Sequence, residues 1–261
     1  MSERGYTFGD TDVAGKRLRL AAEVFQPEMA SFLEQAQASP ELAYDLGCGP
    51  GYTTRIVAET VAPQRTVGLD ASSRFIEVAR ARPMAGVEYF QHDVTRTPFP
   101  FGPGDLLFSH FLLPHVSDPP STLAAWATQI RPAGLLLLDE VSDIWTTHPK
   151  FLRYLEMVEQ VVDAGGGRLY AGKAMEQLIP GTGLAVVSSR LVEQPVSTGQ
   201  AAAMFRLNIA GWGVTPAARA SFSAPSIDEV AVELDGLAAS PSPHEIVWGM
   251  RQVICRAANT E

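Results

Sequence analysis

The sequence predicts an α/β fold built around a mostly parallel, doubly wound β-sheet. Short apolar runs alternate with helical stretches over the first 140 residues, each run ends in polar residues, and one run leads into a glycine-rich turn. Strands that are buried on both faces read as continuous apolar runs, because helices cover both sides of such a sheet. With 261 residues and 46% hydrophobic content, the chain can bury one large core.

The most informative segment, residues 44–53, joins the first predicted strand to a helix. The strand ends near Asp45, and Gly47, Gly49 and Gly51 follow at alternate positions. Glycine tolerates positive φ and lets a ligand approach the backbone, so the turn is suited to holding a ligand. Its spacing differs from the Gly-x-Gly-x-x-Gly pattern of dinucleotide sites, and the preceding acid suits a cation better than a pyrophosphate. We therefore expect a ligand that carries an adenosine but no phosphate.

Four further apolar runs end in polar residues and are predicted to be strands. These strands are predicted at residues 67–70, 87–94, 105–110 and 135–140. Connecting helices are predicted at about 51–62, 72–82 and 119–131, and an amphipathic helix at 17–38, interrupted near Pro27, precedes the first strand. Five polar strand ends therefore meet at one edge of the sheet, with right-handed crossovers between the strands.

The second half of the chain predicts two more strands with a long insertion between them. A helix is predicted at 150–164, and strands at 184–192 and 245–255, with two helices near 199–212 and 226–239. Ordinary loops run to about 4–6 residues, and longer ones usually carry function. We therefore interpret the insertion as a lid over a substrate.

This interpretation divides the chain into three parts. We predict an N-terminal helical cap at residues 1–40, a core formed by residues 41–198 and 240–261, and a helical lid at residues 199–239. Ligands of open α/β sheets bind beyond the carboxyl ends of the strands, and both the cap and the lid can reach that edge. Substrate specificity is therefore expected in the cap and the lid.

The charge balance narrows the classes of partner. A formal net charge of −9 and a pI near 5.1 disfavour binding to a polyanion, because nucleic-acid affinity comes largely from Lys and Arg. The N-terminus carries no charged-then-apolar leader, and no run of about 18 apolar residues is present, so we expect a cytoplasmic protein without a membrane span. Cys48 and Cys255 show neither metal-ligand spacing nor a disulfide framework, and we expect both to be buried and no metal to be bound.

Residues 45–51 (DLGCGPG) resemble motif I of the class I S-adenosylmethionine-dependent methyltransferases. The context agrees, because the strand at 67–70 ends in an acid 19 residues after Gly51, close to the interval of nucleoside-binding βαβ units. Residues 115–119 (HVSDP) resemble a segment of the ubiquinone-biosynthesis-like members of this family. The resemblance implies a Rossmann-like sheet of seven strands with one antiparallel strand, S-adenosyl-L-methionine as cofactor and S-adenosyl-L-homocysteine as product.

The resemblance also implies which residues contact the cofactor. The backbone of the glycine turn, including Cys48, would hold it, with Asp45 near the methionine ammonium and Asp70 on the ribose hydroxyls. Asp93 would accept from the adenine amino group. The other implied contacts are Ala71 and Val94 on the adenine faces and Ser109 and His110 near the methionine and its methyl group.

Each acid also has a purely local interpretation. Asp70 could cap the helix that begins near Ser72, and Asp93 suits a loop. Asp45 could bond to the amides of the glycine turn.

The catalytic candidates are His110, Glu140 and Tyr6. An unperturbed imidazole titrates near pH 6.5, so His110 or His115 could act as a base, and position favours His110. Glu140 follows Asp139, and adjacent residues of a strand point to opposite sides, so only one of these acids can face a pocket. Tyr6 lies in a segment that resembles the N-terminal segment with which some small-molecule methyltransferases close over the cofactor.

Aromatic residues in the predicted cap and lid favour a small, largely apolar or aromatic acceptor, because pockets for small ligands are mostly apolar. The predicted substrate contacts are Tyr6, Phe8, His115, Trp145, His148, Tyr170, Phe205 and Trp212. Each aromatic could instead pack the cap against the sheet, His115 could have a packing role, and His148 could be a solvated loop residue.

The leading hypothesis is methyl transfer to oxygen, nitrogen or carbon of a small metabolite by a monomer or homodimer. A second hypothesis keeps the cofactor but not the transfer, with the bound sulfonium assisting cyclisation, decarboxylation or rearrangement. A third is a non-catalytic partner subunit, against which the intact glycines and acids argue.

Overall fold

The computed structural model describes residues 10–36, 40–239 and 246–258. Tyr6 and Phe8 lie outside these residues, as does Glu245 at the start of the last predicted strand.

The described residues form seven strands and nine α-helices. The strands are β1 (Leu42–Leu46), β2 (Arg65–Asp70), β3 (Val87–Gln91), β4 (Gly104–His110), β5 (Ile130–Thr146), β6 (Leu184–Val196) and β7 (Ile246–Ala257). The helices are α1 (Asp12–Leu33), α2 (Tyr52–Val61), α3 (Ser73–Arg80), α4 (Pro119–Ala127), α5 (Pro149–Ala164), α6 (Met175–Leu178), α7 (Thr198–Trp212), α8 (Pro216–Ser221) and α9 (Ala224–Ala238). Short 3₁₀ turns lie at Glu34–Ala36, Leu113–His115 and Ala171–Ala174.

All seven strands belong to one sheet in the order β3-β2-β1-β4-β5-β7-β6. Strands β1 to β5 pair in parallel, and β7 is antiparallel to both β5 and β6. The prediction of a mostly parallel, Rossmann-like sheet with one antiparallel strand is confirmed. The strand order reverses between β1 and β4, which opens a ligand-binding crevice at their carboxyl ends.

The predicted interruption of the first helix is wrong, because α1 continues through Pro27. Proline inside a helix removes one hydrogen bond and costs about 3 kcal/mol. Phe25, Met29 and Phe32 are almost fully buried on this helix, and burying each such side chain contributes about 1.5–3 kcal/mol. Burial of one face therefore outweighs the local penalty.

Strand β5 extends further than its apolar core suggests. Its last residues pair with the start of β7, with Trp145 opposite Val247 and Thr146 opposite Ile246. The segment around Trp145, which lies beyond the strand predicted at 135–140, is therefore strand. This pairing cannot be read locally, since it depends on a partner about one hundred residues away.

Helices α7, α8 and α9 lie between β6 and β7 in the chain, within the segment interpreted as a lid. Phe205 and Trp212 of α7 are buried in the same apolar cluster as Phe25 of α1 and Trp248 of β7. The same cluster includes residues of the sheet, among them Phe108 of β4 and Leu137 of β5. No helix among the described ranges is long and apolar enough to cross a membrane.

Candidate active site

The glycine turn after β1 adopts backbone angles that L side chains rarely take. The φ values are +72° at Gly47, +52° at Gly49 and +83° at Gly51. The N–H groups of Gly47 and Cys48 both donate to the carbonyl of Leu69, at 2.8 and 2.9 Å. The turn is therefore fixed against the end of β2, with glycine where a Cβ would be strained.

Asp70 joins the glycine turn to the start of α3. One oxygen, Oδ2, accepts from the N–H of Gly49 at 2.8 Å, and Oδ1 accepts from the N–H of Ser72 at 2.8 Å. Burial raises the pKa of Asp70, and these two N–H groups oppose that rise. Ser72, whose hydroxyl accepts from Phe75, is the cap of α3. Two bonds leave lone pairs on the Asp70 carboxylate for further donors.

Asp45 lies beneath the turn and is only 1% exposed. Its Oδ2 accepts from the hydroxyls of Thr53 and Thr54, both at 2.7 Å, and bonds to the turn's own amides are not among its contacts. Burial raises the pKa of Asp45 to about 6, although the two hydroxyls lower it. In this structure Asp45 ties β1 to the first turn of α2.

The side chain of Cys48 faces the core. It packs with Ile76, Ala79 and Tyr89, and burial raises the pKa of its thiol well above the ordinary value. A thiol that stays protonated is unreactive. The side chain therefore takes no part in the site, and contact with a ligand would be through the backbone of this residue.

Asp93 and its neighbours follow β3. Asp93 Oδ1 accepts from the N–H and hydroxyl of Thr95 at 3.0 and 2.7 Å, and its Oδ2 lies 3.2 Å from Arg96. Ala71 is exposed and its carbonyl accepts from Gln91, whereas Val94 is buried and its carbonyl accepts from Trp126. The contacts of Asp93 are thus those of a loop residue, as its local interpretation predicts.

The end of β4 carries polar atoms that the fold leaves unsatisfied. Ser109 Oγ and His110 Nε2 are buried and have no hydrogen-bond partner in the described part of the chain. His110 Nδ1 lies 2.9 Å from Asp139 Oδ2 on β5, with both side chains almost completely buried. A Nδ1–H that donates to the carboxylate leaves Nε2 with its lone pair, the state required of a base.

Two leucines contact the glycine turn from outside the sheet. A Cβ on Gly47 would lie 2.7 Å from Leu112, and one on Gly49 would lie 3.2 Å from Leu18 of α1. Both contacts are made by the tips of flexible side chains. These two leucine tips can rotate away from a ligand, whereas Gly51 is approached by the buried ring of Tyr89, which lies 2.6 Å from the position of a Cβ.

A cavity of about 110 Å³ lies beside this edge. Residues from α1, the segment after β4, β5, α5, α7 and β7 enclose it. Its apolar lining is rich in aromatic rings: Phe25, Phe111, Phe205 and Trp248. Its polar lining comprises Arg17, His115, Glu140, Tyr154 and Asn208. An aromatic cavity with few polar groups is typical of small-molecule sites.

Phe111 lies between His110 and the cavity. Its ring stacks on the imidazole with centroids 3.8 Å apart, and it also lines the cavity. Its φ of +55° is unusual for a bulky residue, and such strain is found most often at functional sites.

Two of the predicted substrate contacts line the cavity, namely His115 and Phe205. Burial and, to a smaller extent, the neighbouring Arg17 lower the pKa of His115 to about 3, so this imidazole is neutral. Glu140 also lines the cavity, whereas the adjacent Asp139 bonds to His110.

Four other predicted substrate contacts lie away from the cavity, because each has a local role. Trp145 is 40% exposed and its ring covers Gly249 across the strand pair. His148 caps α5 by accepting from Lys150, and the ring of Tyr170 lies against Lys173. Trp212 is fully buried in the core near Tyr154.

Sequence reasoning missed Arg17 and Asn208, although periodicity could have found both of them. Arg17 lies four residues before Ala21 on the buried face of α1, and Asn208 lies four residues before Trp212 on that of α7. A polar residue on an otherwise apolar helical stripe indicates a polar contact inside the fold.

Glu140 should make stability depend on pH. Burial raises the pKa of Glu140 from 4.5 to about 8; the N–H groups of Leu113 and Leu112 oppose this shift, and Asp139 adds to it. The folded chain therefore keeps a proton that the unfolded chain releases, so this contribution is fully present below about pH 4.5 and is lost as pH rises through 8.

We expect Glu140→Gln to remove that dependence. Between pH 5 and 8 the free energy of unfolding of the wild type should fall relative to the variant, by up to about 1.4 kcal/mol per pH unit for one proton. Urea unfolding at several pH values measures this. Parallel curves for the two proteins would show that Glu140 is ionised in the fold.

Part of the chain is similar to a known protein family. Residues 44–138 match the methyltransferase domain family, a stretch that runs from the middle of β1 into β5 and contains the glycine turn, Asp70 and His110. This part of the chain, about a third of its length, is therefore similar to methyltransferase domains.

Some of the curated relatives that the chain matches are named as methyltransferases. Over 94 residues the chain is 34% identical to trans-aconitate 2-methyltransferase of Azoarcus sp.. The aligned stretch covers 36% of this chain and 36% of that protein. The chain spans less than half the length of the first curated relatives it matches.

Two solved structures share the fold. A methyltransferase-like protein of Bacillus halodurans gives a TM-score of 0.61 at 17% identity, covering 89% of this chain and 100% of that one. Phosphoethanolamine N-methyltransferase 2 of Haemonchus contortus, in complex with S-adenosyl-L-methionine, gives 0.56 at 18% identity, covering 89% of this chain and 53% of that one.

Proposed function

We propose that this chain binds S-adenosyl-L-methionine at the carboxyl edge of its sheet and transfers the methyl group to a small, largely apolar molecule. The observation that carries the proposal is the glycine turn at positive φ, bridged by Asp70 and placed beside an aromatic cavity. The family match to a methyltransferase domain supports the same conclusion.

The residues at the edge fit this cofactor. The glycine turn offers backbone without side chains, Asp70 retains lone pairs for a ribose diol, and Ser109 and His110 present buried polar atoms without partners. An orphaned buried polar atom costs about 1–3 kcal/mol, which a polar ligand would offset. The proposed site also includes four residues whose place rests on the resemblance to the family, namely Asp45, Asp93, Ala71 and Val94.

When bound, the cofactor supplies a methyl group made electrophilic by its sulfonium. The chain's own task is to orient the acceptor and exclude water, and well-oriented reactants reach effective molarities of about 10⁵–10⁸ M. The aromatic cavity performs both tasks, since its walls come from five separate helices and strands besides the segment after β4. Tyr6 and Phe8 remain predicted contributors.

We assign His110 as the general base for an acceptor that must lose a proton. Asp139 is the positioning residue, because its carboxylate at 2.9 Å fixes the imidazole through Nδ1 and directs Nε2 away from β5. A positioned base contributes about 10²–10⁴-fold to a rate. The ring of Phe111, which stacks on the imidazole, would have to move before Nε2 of His110 could contact an acceptor in the cavity.

The proposal is tested with methyl-labelled S-adenosyl-L-methionine and fractionated metabolite extracts. We expect label to enter one or more small molecules, with S-adenosyl-L-homocysteine released in equal amount. Heat-treated protein and the Asp70→Asn variant are the controls. An acceptor that changes without release of S-adenosyl-L-homocysteine would instead indicate a non-methylating reaction, and a chain that binds no cofactor would refute the proposal.

A further inference from the structure

Glu140 lines the cavity and carries an unsatisfied carboxyl oxygen. Its side chain is 0% exposed, and its Oε1 accepts from the N–H groups of Leu112 and Leu113, both at 2.8 Å. Its other oxygen, Oε2, is buried with no hydrogen-bond partner among residues that the structure describes. The carboxyl group thus fixes the segment after β4 with one oxygen and leaves the second for a ligand.

Asn208 also lines the cavity and carries a second unsatisfied oxygen. Its Nδ2 donates to the hydroxyl of Tyr154 at 2.8 Å, which defines the orientation of the amide. Its Oδ1 is buried and lacks a partner within the described ranges. An amide oxygen can only accept, so its complement in a ligand is an O–H or N–H donor.

The protonation of Glu140 defines what its free oxygen offers. Burial raises the pKa of Glu140 to about 8, so near neutral pH most of the carboxyl groups are protonated. Because Oε1 already accepts two N–H groups, the proton belongs on Oε2 and can be donated. The other titratable groups at the cavity are Arg17, the neutral His115 and Tyr154, whose pKa burial raises well above its usual value.

A hydroxyl group satisfies both residues, since its oxygen accepts from an acid and its hydrogen donates to an amide oxygen. The size of the cavity adds a second constraint. An engineered apolar cavity of about 150 Å³ accommodates benzene, and this cavity of about 110 Å³ is lined by Phe25, Phe205 and Trp248. One planar ring therefore suits its size and walls.

We propose that the cavity selects an uncharged, single-ring molecule whose hydroxyl group bonds to Glu140 and Asn208. The role of this molecule as methyl acceptor rests on the proposed function. Its binding does not, and can be measured without cofactor.

The test uses the full chain with three probes of similar size: phenol, toluene and benzoate. Trp248 lines the cavity, so binding can be followed by tryptophan fluorescence and verified by calorimetry. At pH 7 we expect phenol to bind at least about tenfold more tightly than toluene, because one or two buried hydrogen bonds contribute that difference in affinity. We also expect phenol to bind more tightly than benzoate.

Substitutions then assign the preference to the two residues. Glu140→Gln should keep phenol affinity within about threefold, because the amide can donate from the same position. Glu140→Leu and Asn208→Leu should each reduce the preference for phenol over toluene about five- to tenfold. Glu156→Gln, an exposed site on α5, is the matched control and should change nothing.

Equal binding of phenol and toluene, or failure of every ring compound to bind, would overturn the inference. Tightest binding of benzoate would overturn it too, since recognition would then centre on Arg17. If Glu140→Leu does not fold, the wild-type probe series and Asn208→Leu decide. Calorimetry with S-adenosyl-L-homocysteine separates the two proposals: cofactor binding without a phenol preference refutes this inference alone, and a phenol preference without cofactor binding refutes the proposed function.

Discussion

Replacing Asp70 by alanine is expected to weaken binding of S-adenosyl-L-methionine by about 10²–10⁴-fold. Hydrogen bonds to a charged group contribute about 1.5–3 kcal/mol each, and the carboxylate would accept two from the ribose diol. The same substitution releases the N–H groups of Gly49 and Ser72, so the turn that carries the cofactor would also lose its anchor. Isothermal titration calorimetry measures the change.

The matched control is Asp105→Ala. Asp105 also accepts from two backbone N–H groups, those of Glu41 and Leu42, but lies at the amino end of β4, remote from the glycine turn. Both variants should lose some stability to urea, and only Asp70→Ala should lose cofactor affinity. An unchanged dissociation constant for Asp70→Ala would show that the ribose does not bind there.

Replacing His110 by glutamine should lower turnover by about 10²–10⁴-fold while cofactor affinity changes only a few-fold. The reason is that a general base acts on the acceptor proton in the transition state and contributes by that factor. Glutamine keeps a polar group near Asp139 but cannot take up a proton. Single-turnover kinetics with an identified acceptor measure the rate, and calorimetry measures the affinity.

A double-mutant cycle tests whether Asp139 acts through His110. Asp139→Asn alone should reduce turnover, because the ring would lose the partner that orients it at 2.9 Å. In the His110→Gln background the same change should have little further effect, since residues that act as a unit are non-additive. Full turnover in His110→Gln would assign both residues to packing.

The order of strands and helices could be predicted from the sequence because the signals for these elements are local. Apolar runs, polar strand ends and the glycine turn are all readable over a few residues, so the sheet edge and the position of Asp70 could be predicted. The bonds that Asp70 makes could not, because they depend on how Gly49 and Ser72 approach it in three dimensions.

The cavity could not be predicted from the sequence in this way. Arg17, Glu140 and Asn208 come from α1, β5 and α7, and only tertiary packing brings them together. The pairing of His110 with Asp139 requires the register of β4 against β5, in which these two residues are direct neighbours. The part of β5 that contains Trp145 was not predicted as strand for the same reason, since it is defined by its pairing with β7.

Cofactor binding at the sheet edge is decided by calorimetric titration of the full chain with S-adenosyl-L-homocysteine, which has no methyl group to transfer. We predict a single saturable site per chain with a dissociation constant in or below the range of about 1 μM to 1 mM typical of enzyme ligands, and loss of that site in Asp70→Ala. A wild-type chain that shows no binding up to about 1 mM, or an Asp70→Ala chain that binds equally well, would contradict the account.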